Sequence, residues 1–106
     1  MVSVDPSSGA VVSLYGGPDY LKQQYNDATQ SVAQAGSTFK PFTLAAALEA
    51  DIGLSSRWNG ANNQTFSDPP CADYPVRNYG GESFGNITLL QGTEDSVNTV
   101  YVPVSI

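Results

Sequence analysis

The stretch from Ser37 to Ala50 constrains this chain more than any other. Phe39, Phe42, Leu44, Ala45, Ala46, Ala47, Leu48 and Ala50 are apolar on nearly every side of a helix. A helix apolar all round is normally buried, so the rest of a fold must be built around it. Ser37 and Lys40 stand at its mouth, after Gly36. Residues three apart lie on one face of a helical turn, so the two side chains can point into one site. A helix start also offers free N–H groups and a positive dipole end, which favour an oxyanion forming at Ser37. A neutral lysine amine can take the proton of a serine hydroxyl and turn it into a nucleophile. The chain has no His, so a Ser-His-Asp triad is excluded. The plainer alternative is that Ser37 only caps the helix, a role Ser often has. Pro41 disfavours a helical Lys40 and removes one N–H, so the Ser-Lys turn is expected to be tight and not regular α. Asp51-Ile52-Gly53 is expected to end the helix, with Gly53 as a left-handed stop.

A chain of 106 residues holds at most one ordinary domain with a modest core. Hydrophobic residues make up 41% and charged residues 13%, with 10 Gly and 7 Pro. That balance fits a loop-rich globular piece better than a disordered one. The net charge is −6, and the basic residues Lys22, Lys40, Arg57 and Arg77 are scattered, which argues against nucleic-acid binding. Cys71 is alone, so it makes no internal disulfide. Without a Cys or His partner it is read as an incidental loop residue, and neither metal nor cofactor is expected. The opening Met1-Val2-Ser3-Val4-Asp5 does not read as a signal peptide. No run approaches the roughly 20 apolar residues of a membrane span. An address or anchor for work outside the cytoplasm is therefore expected elsewhere than on this chain.

Along the chain, Val2-Ser3-Val4, the turn Asp5-Pro6-Ser7-Ser8-Gly9 and Ala10 to Tyr15 read as a β-hairpin. Asp19 to Ala33 reads as a loop or short helix. Leu54 to Asp73 reads as a long surface excursion with one extended piece near Gln64-Thr65-Phe66, and Trp58 as a local packing anchor. Tyr74 to Gly81 is a loop. Gly85 to Leu90 is expected to start a short helix with Thr88 as N-cap. Asp95-Ser96-Val97-Asn98-Thr99-Val100-Tyr101 follows. Asn63-Gln64-Thr65 and Asn86-Ile87-Thr88 match a glycosylation triplet, a pattern too common to carry weight.

Taken whole, Ala35-Gly36-Ser37-Thr38-Phe39-Lys40-Pro41-Phe42 resembles the active-site serine motif of the penicillin-binding proteins, the serine D,D-transpeptidases of bacterial cell walls. Ser96-x-Asn98 and its flanks resemble the second motif of the same family. The opening hairpin, Tyr25 to Gln30 and Tyr74 to Gly81 are similar to the family in the same order, so the resemblance covers nearly the whole chain. It implies a mixed α/β (α+β) class: part of a β-lactamase/transpeptidase-like fold with an N-terminal hairpin, a buried active-site helix and a helical and loop segment. It implies that Ser37 attacks the D-Ala-D-Ala end of a peptidoglycan stem peptide, and that Lys40 is its base. Ser96 can then relay protons, and the Asn98 amide can hold a substrate amide. β-Lactams would acylate Ser37 by resembling that peptide. The family works on the outer face of the bacterial cell membrane, often beside a glycosyltransferase domain.

The sequence departs from the family in two places. No Lys-Thr-Gly or Lys-Ser-Gly occurs, and in the family that third motif supplies a cation and one oxyanion N–H. Pro103 falls where family members continue as helix, and it is expected to break that helix. The chain therefore reads as the N-terminal part of a transpeptidase domain, spanning residues 1–106. An exposed sheet edge and an uncovered face of the apolar helix follow from that reading. An inactive remnant, and a β-lactam sensor or β-lactamase on the same serine scaffold, are the alternatives.

Overall fold

The computed structural model describes residues 1–69, 72 and 74–106; Cys71, expected in a loop, lies outside them. The chain divides into two compact units, Met1–Gln34 and Ala35–Ile106.

The first unit is the hairpin and its following turns. Strand β1 (Val2–Val4) pairs antiparallel with β2 (Val11–Leu14), with a register shift between Ser3 and Val4. The turn is tied by Asp5, whose carboxylate accepts from Ser7 N–H at 3.0 Å, Ser7 Oγ at 2.8 Å and Ser8 Oγ at 2.7 Å. The Ser8 hydroxyl and the Ser7 donors hold the Asp5 carboxyl down at about 2. Residues 19–33 carry no helix; they form turns closed by Gln23 N–H to Asp19 O and Gln30 N–H to Asn26 O.

The second unit begins with a 3₁₀ turn, Gly36–Phe39, which runs into helix α1 (Lys40–Glu49). The tight Ser-Lys turn expected from Pro41 is therefore present, and Pro41 sits in the first turn of α1, where a missing N–H does little harm. The expected burial is not. Only Ala47 of α1 is buried, and Phe39 and Phe42 are 61% and 68% exposed. Among the described residues, Leu44 and Ala47 are the apolar residues of α1 that turn to the core, while Phe42 packs against Phe39 and stays exposed. The helix stop is also one of position. Asp51, not Gly53, takes the left-handed conformation at φ 63°. Asp51 N–H bonds Leu48 O at 3.2 Å and Ile52 N–H bonds Ala47 O at 2.9 Å, the two bonds of a Schellman ending.

Strand β3 (Arg57–Asn59) lies in the stretch read as surface loop. It pairs antiparallel with β4 (Asn86–Thr88), Trp58 opposite Ile87. Three residues give too short an alternation to stand out in sequence; the partner strand and the burial of Ile87 make the strand. The extended piece near Gln64 reduces to a single bridge with Val76. Trp58 does pack on the core, and its Nε1 donates to Ser56 Oγ at 2.8 Å.

Helix α2 (Leu89–Glu94) starts where expected, with Thr88 Oγ1 accepting from Gln91 N–H at 3.1 Å, though Asn86–Thr88 before it is strand. Helix α3 (Asn98–Ser105) runs through Pro103, against expectation. Pro103 forfeits one backbone bond near the helix end, while buried Thr99, Val100 and Tyr101 hold the helix by packing. The core is Ile87, Leu89, Val97 and Val100, with Leu44, Ile52, Trp58, Phe84 and Val104 against it. Among the described residues, mixed helices and two small antiparallel sheets make the class α+β.

Gly92 sets how closely α2 and α3 approach. A Cβ there would lie 2.9 Å from Val100 Cγ1 and 3.2 Å from its Cβ. Val100 is fully buried and β-branched, so it has little room to turn. Gly92→Ala therefore gains about 1 kcal/mol of helix propensity but meets an overpacking cost of about 1–3 kcal/mol. We expect a lower melting temperature by circular dichroism; a raised one would contradict this packing.

Candidate active site

Three side chains from separate elements meet at the Lys40 amine. Ser37 comes from the 3₁₀ turn and Lys40 from the first turn of α1. Ser96 comes from the link between α2 and α3, and Asn98 from the first residue of α3. Lys40 Nζ lies 2.6 Å from Ser96 O, 2.7 Å from Asn98 Oδ1, 2.9 Å from Ser96 Oγ and 3.3 Å from Ser37 Oγ. Ser96 Oγ lies 3.1 Å from Ser37 Oγ. Ser37 is exposed, while Lys40, Ser96 and Asn98 are half-buried. The capping alternative for Ser37 is not what forms, since neither the 3₁₀ turn nor α1 has a side-chain cap.

Hydrogen-bond capacity admits either protonation form of Lys40 in this site. Ser96 O can only accept. Asn98 Oδ1 faces Lys40 because its Nδ2 donates to Arg77 O at 2.8 Å. A neutral amine has two N–H donors, and these match the two obligate acceptors at the shortest distances. Its lone pair is then left for a hydroxyl, either Ser96 Oγ or Ser37 Oγ. An ammonium has three donors, which Ser96 O, Asn98 Oδ1 and a serine hydroxyl oxygen can accept, so it fits as well; only the neutral form has a lone pair to take a hydroxyl proton. Burial pushes the Lys40 amine below the ordinary lysine value. The Tyr101 ring, centred 5.4 Å from Nζ, acts the other way by favouring the cation.

The Ser96 placement comes from the end of α2. Ser96 has φ 53°, a left-handed conformation usually given to Gly. Ser96 N–H bonds Thr93 O at 3.2 Å and Val97 N–H bonds Gly92 O at 2.8 Å, again a Schellman ending. The reversal carries Val97 into the core and leaves the Ser96 carbonyl and hydroxyl on Lys40.

All four residues singled out in the sequence are therefore brought together. Two expectations need adjusting. The Asn98 amide is already engaged at both ends, which leaves one Nδ2 hydrogen for another molecule. The turn's donors are also not all free, because Thr38 N–H is donated to Ala35 O. Tyr101 was not legible as a site residue. Its place three residues after Asn98, on one face of a helix, was the signal available.

Such a constellation can activate a serine hydroxyl through a lysine amine, without histidine. Residues 1–105 match the family described as the penicillin binding protein transpeptidase domain. The chain belongs to this penicillin-binding transpeptidase family. It is 35% identical over 102 residues to penicillin-binding protein 1A of Escherichia coli (strain K12), covering 96% of this chain and 12% of that protein. It is 37% identical over 105 residues to penicillin-binding protein 1A of Neisseria lactamica, covering 98% and 13%. The Rickettsia felis penicillin-binding protein 1A is 31% identical over 102 residues, covering 96% and 13%. The chain thus spans about an eighth of the length of these curated relatives. Among the described residues, no helix is long and apolar enough to cross a membrane.

Proposed function

We propose that this chain carries the nucleophile and proton-handling part of a peptidoglycan D,D-transpeptidase. The convergence of Ser37, Ser96 and Asn98 on the Lys40 amine is the observation that supports the reading. Ser37 Oγ attacks the carbonyl of the penultimate D-Ala of a stem peptide. Its proton passes to Lys40, directly or through Ser96 Oγ. The peptide C–N bond breaks, the proton goes to the departing D-Ala amine, and an acyl ester remains on Ser37. An amine of a neighbouring stem then displaces Ser37 and forms the cross-link. The remaining Asn98 N–H holds a substrate amide. A β-lactam follows the first half of this path, its ring C–N bond opening as Ser37 is acylated. The work belongs on the outer face of the bacterial membrane, in concert with the rest of a transpeptidase domain and, in the parent, a glycosyltransferase domain.

Competition tests this reading. A fluorescent penicillin should label Ser37, and a peptide ending in D-Ala-D-Ala should slow the labelling in proportion to its occupancy. Labelling at another residue, or labelling indifferent to saturating peptide, would overturn it.

A further inference from the structure

Asn78 is a buried polar residue in a loop, 7% exposed, and it has every hydrogen-bonding group of its amide engaged. Its Oδ1 accepts from Thr99 N–H at 3.0 Å and Thr99 Oγ1 at 3.2 Å. Its Nδ2 donates to Gly60 O at 3.1 Å and Glu82 O at 3.0 Å. Its own N–H donates to Asn62 Oδ1 at 2.8 Å. Thr99 N–H belongs to the first turn of α3, and the N-cap of that helix, Val97, has no side-chain oxygen. Asn78 thus does from a distant loop what an N-cap does locally. The residue before it, Arg77, gives the carbonyl that accepts from Asn98 Nδ2. The two neighbours together fix the start of α3 and the amide orientation of Asn98. That orientation is what aims Oδ1 at Lys40 Nζ.

We propose that Asn78 is a positioning residue for Ser37 acylation: it caps α3 in trans and thereby sets the Asn98–Lys40 contact. This rests on the acyl-transfer reading above. Only an amide can fill the place, because it must accept from α3 and donate to two carbonyls at once. Removing it leaves buried groups unpaired and frees the first turn of α3.

Asn78→Ala is compared with a core-packing variant outside the Lys40 cluster, Val104→Ala, and with wild type. The acylation rate constant and the pre-covalent Kd for a fluorescent penicillin are separated by stopped flow. The Asn98 side-chain amide is followed by NMR in the same proteins. Asn78→Ala should lower the acylation rate constant at least tenfold, change Kd less than threefold and move the Asn98 amide signals. Val104→Ala should leave rate constant and amide signals near wild type despite its loss of melting temperature. An effect of Asn78→Ala no larger than that of Val104→Ala, or an unmoved Asn98 amide, would overturn the proposal. If Asn78→Ala does not fold, Thr99→Val, which removes only the 3.2 Å hydroxyl bond, should still shift the Asn98 amide and slow acylation two- to fivefold; no change there overturns it too. If wild type is not acylated at all, the function reading fails, while the NMR comparison still decides whether Asn78 positions Asn98.

Discussion

Lys40→Met should slow acylation of Ser37 by a fluorescent penicillin about 10²–10⁴-fold, the usual worth of a positioned general base. Methionine keeps an unbranched chain of similar length but has no amine to take the Ser37 proton. The pH dependence should change with it. Burial holds the Lys40 amine below its ordinary value of 10.5, so it becomes neutral at a lower pH than a free lysine. The wild-type rate should therefore rise with pH and level off below 10.5. The rate of Lys40→Met should lack that limb. The sign for folding is the same. Between the lowered value and 10.5 the unfolded chain binds more protons, so the contribution of Lys40 to stability grows as pH rises through that window. A rising limb that survives in Lys40→Met would assign the titration to another group.

Ser96→Gly should separate stability from chemistry. Ser96 stands at φ 53°, where a non-glycine residue costs roughly 1–2 kcal/mol. Glycine removes that strain, less about 0.5–1 kcal/mol for its freer unfolded chain. The melting temperature should hold or rise. Acylation should fall about 10²-fold, because the hydroxyl between Lys40 Nζ and Ser37 Oγ is gone. Asp51→Gly is the internal control. Asp51 ends α1 with the same two bonds and a φ of 63°, but takes no part in the cluster. It should gain similar stability and leave acylation unchanged. Equal acylation by Ser96→Gly and Asp51→Gly would remove Ser96 from the proton path.

These two left-handed residues also show where the sequence was hard to read. A helix end at such a conformation suggests Gly, and Gly53 lay conveniently near; the turn instead closed at Asp51 because the bond from Ile52 to Ala47 O fixes the count. At Ser96 no local propensity marks a left-handed residue, and the Lys40 contacts draw on an element far along the chain. Thr88 as N-cap, the hairpin turn around Asp5 and the tight turn before Pro41 were legible, since each depends on neighbours in sequence. Strand β3 was not, because it exists through its pairing with β4. The apolar helix was readable as a helix; its burial on nearly every side was not met, while the uncovered face expected of a partial domain agrees with the exposed Phe39 and Phe42. Pro103 misled for a related reason: the packing of Val100 and Tyr101 outweighs one lost backbone bond. The spacing of Ser37 and Lys40 showed only that the two side chains can meet; their flanking residues, through the family resemblance, singled them out as a site. Asn78 was not, because its partners Gly60, Glu82 and Thr99 come together only in the fold.

We propose that Ser37 is an activated nucleophile within this chain. Intact-mass spectrometry after incubation with a penicillin, followed by peptide mapping, tests it most directly. The spectrum should show one added penicilloyl mass, located on Ser37 and absent from Ser37→Ala. No adduct on a chain that circular dichroism shows to be folded, or an adduct that persists in Ser37→Ala, would contradict it.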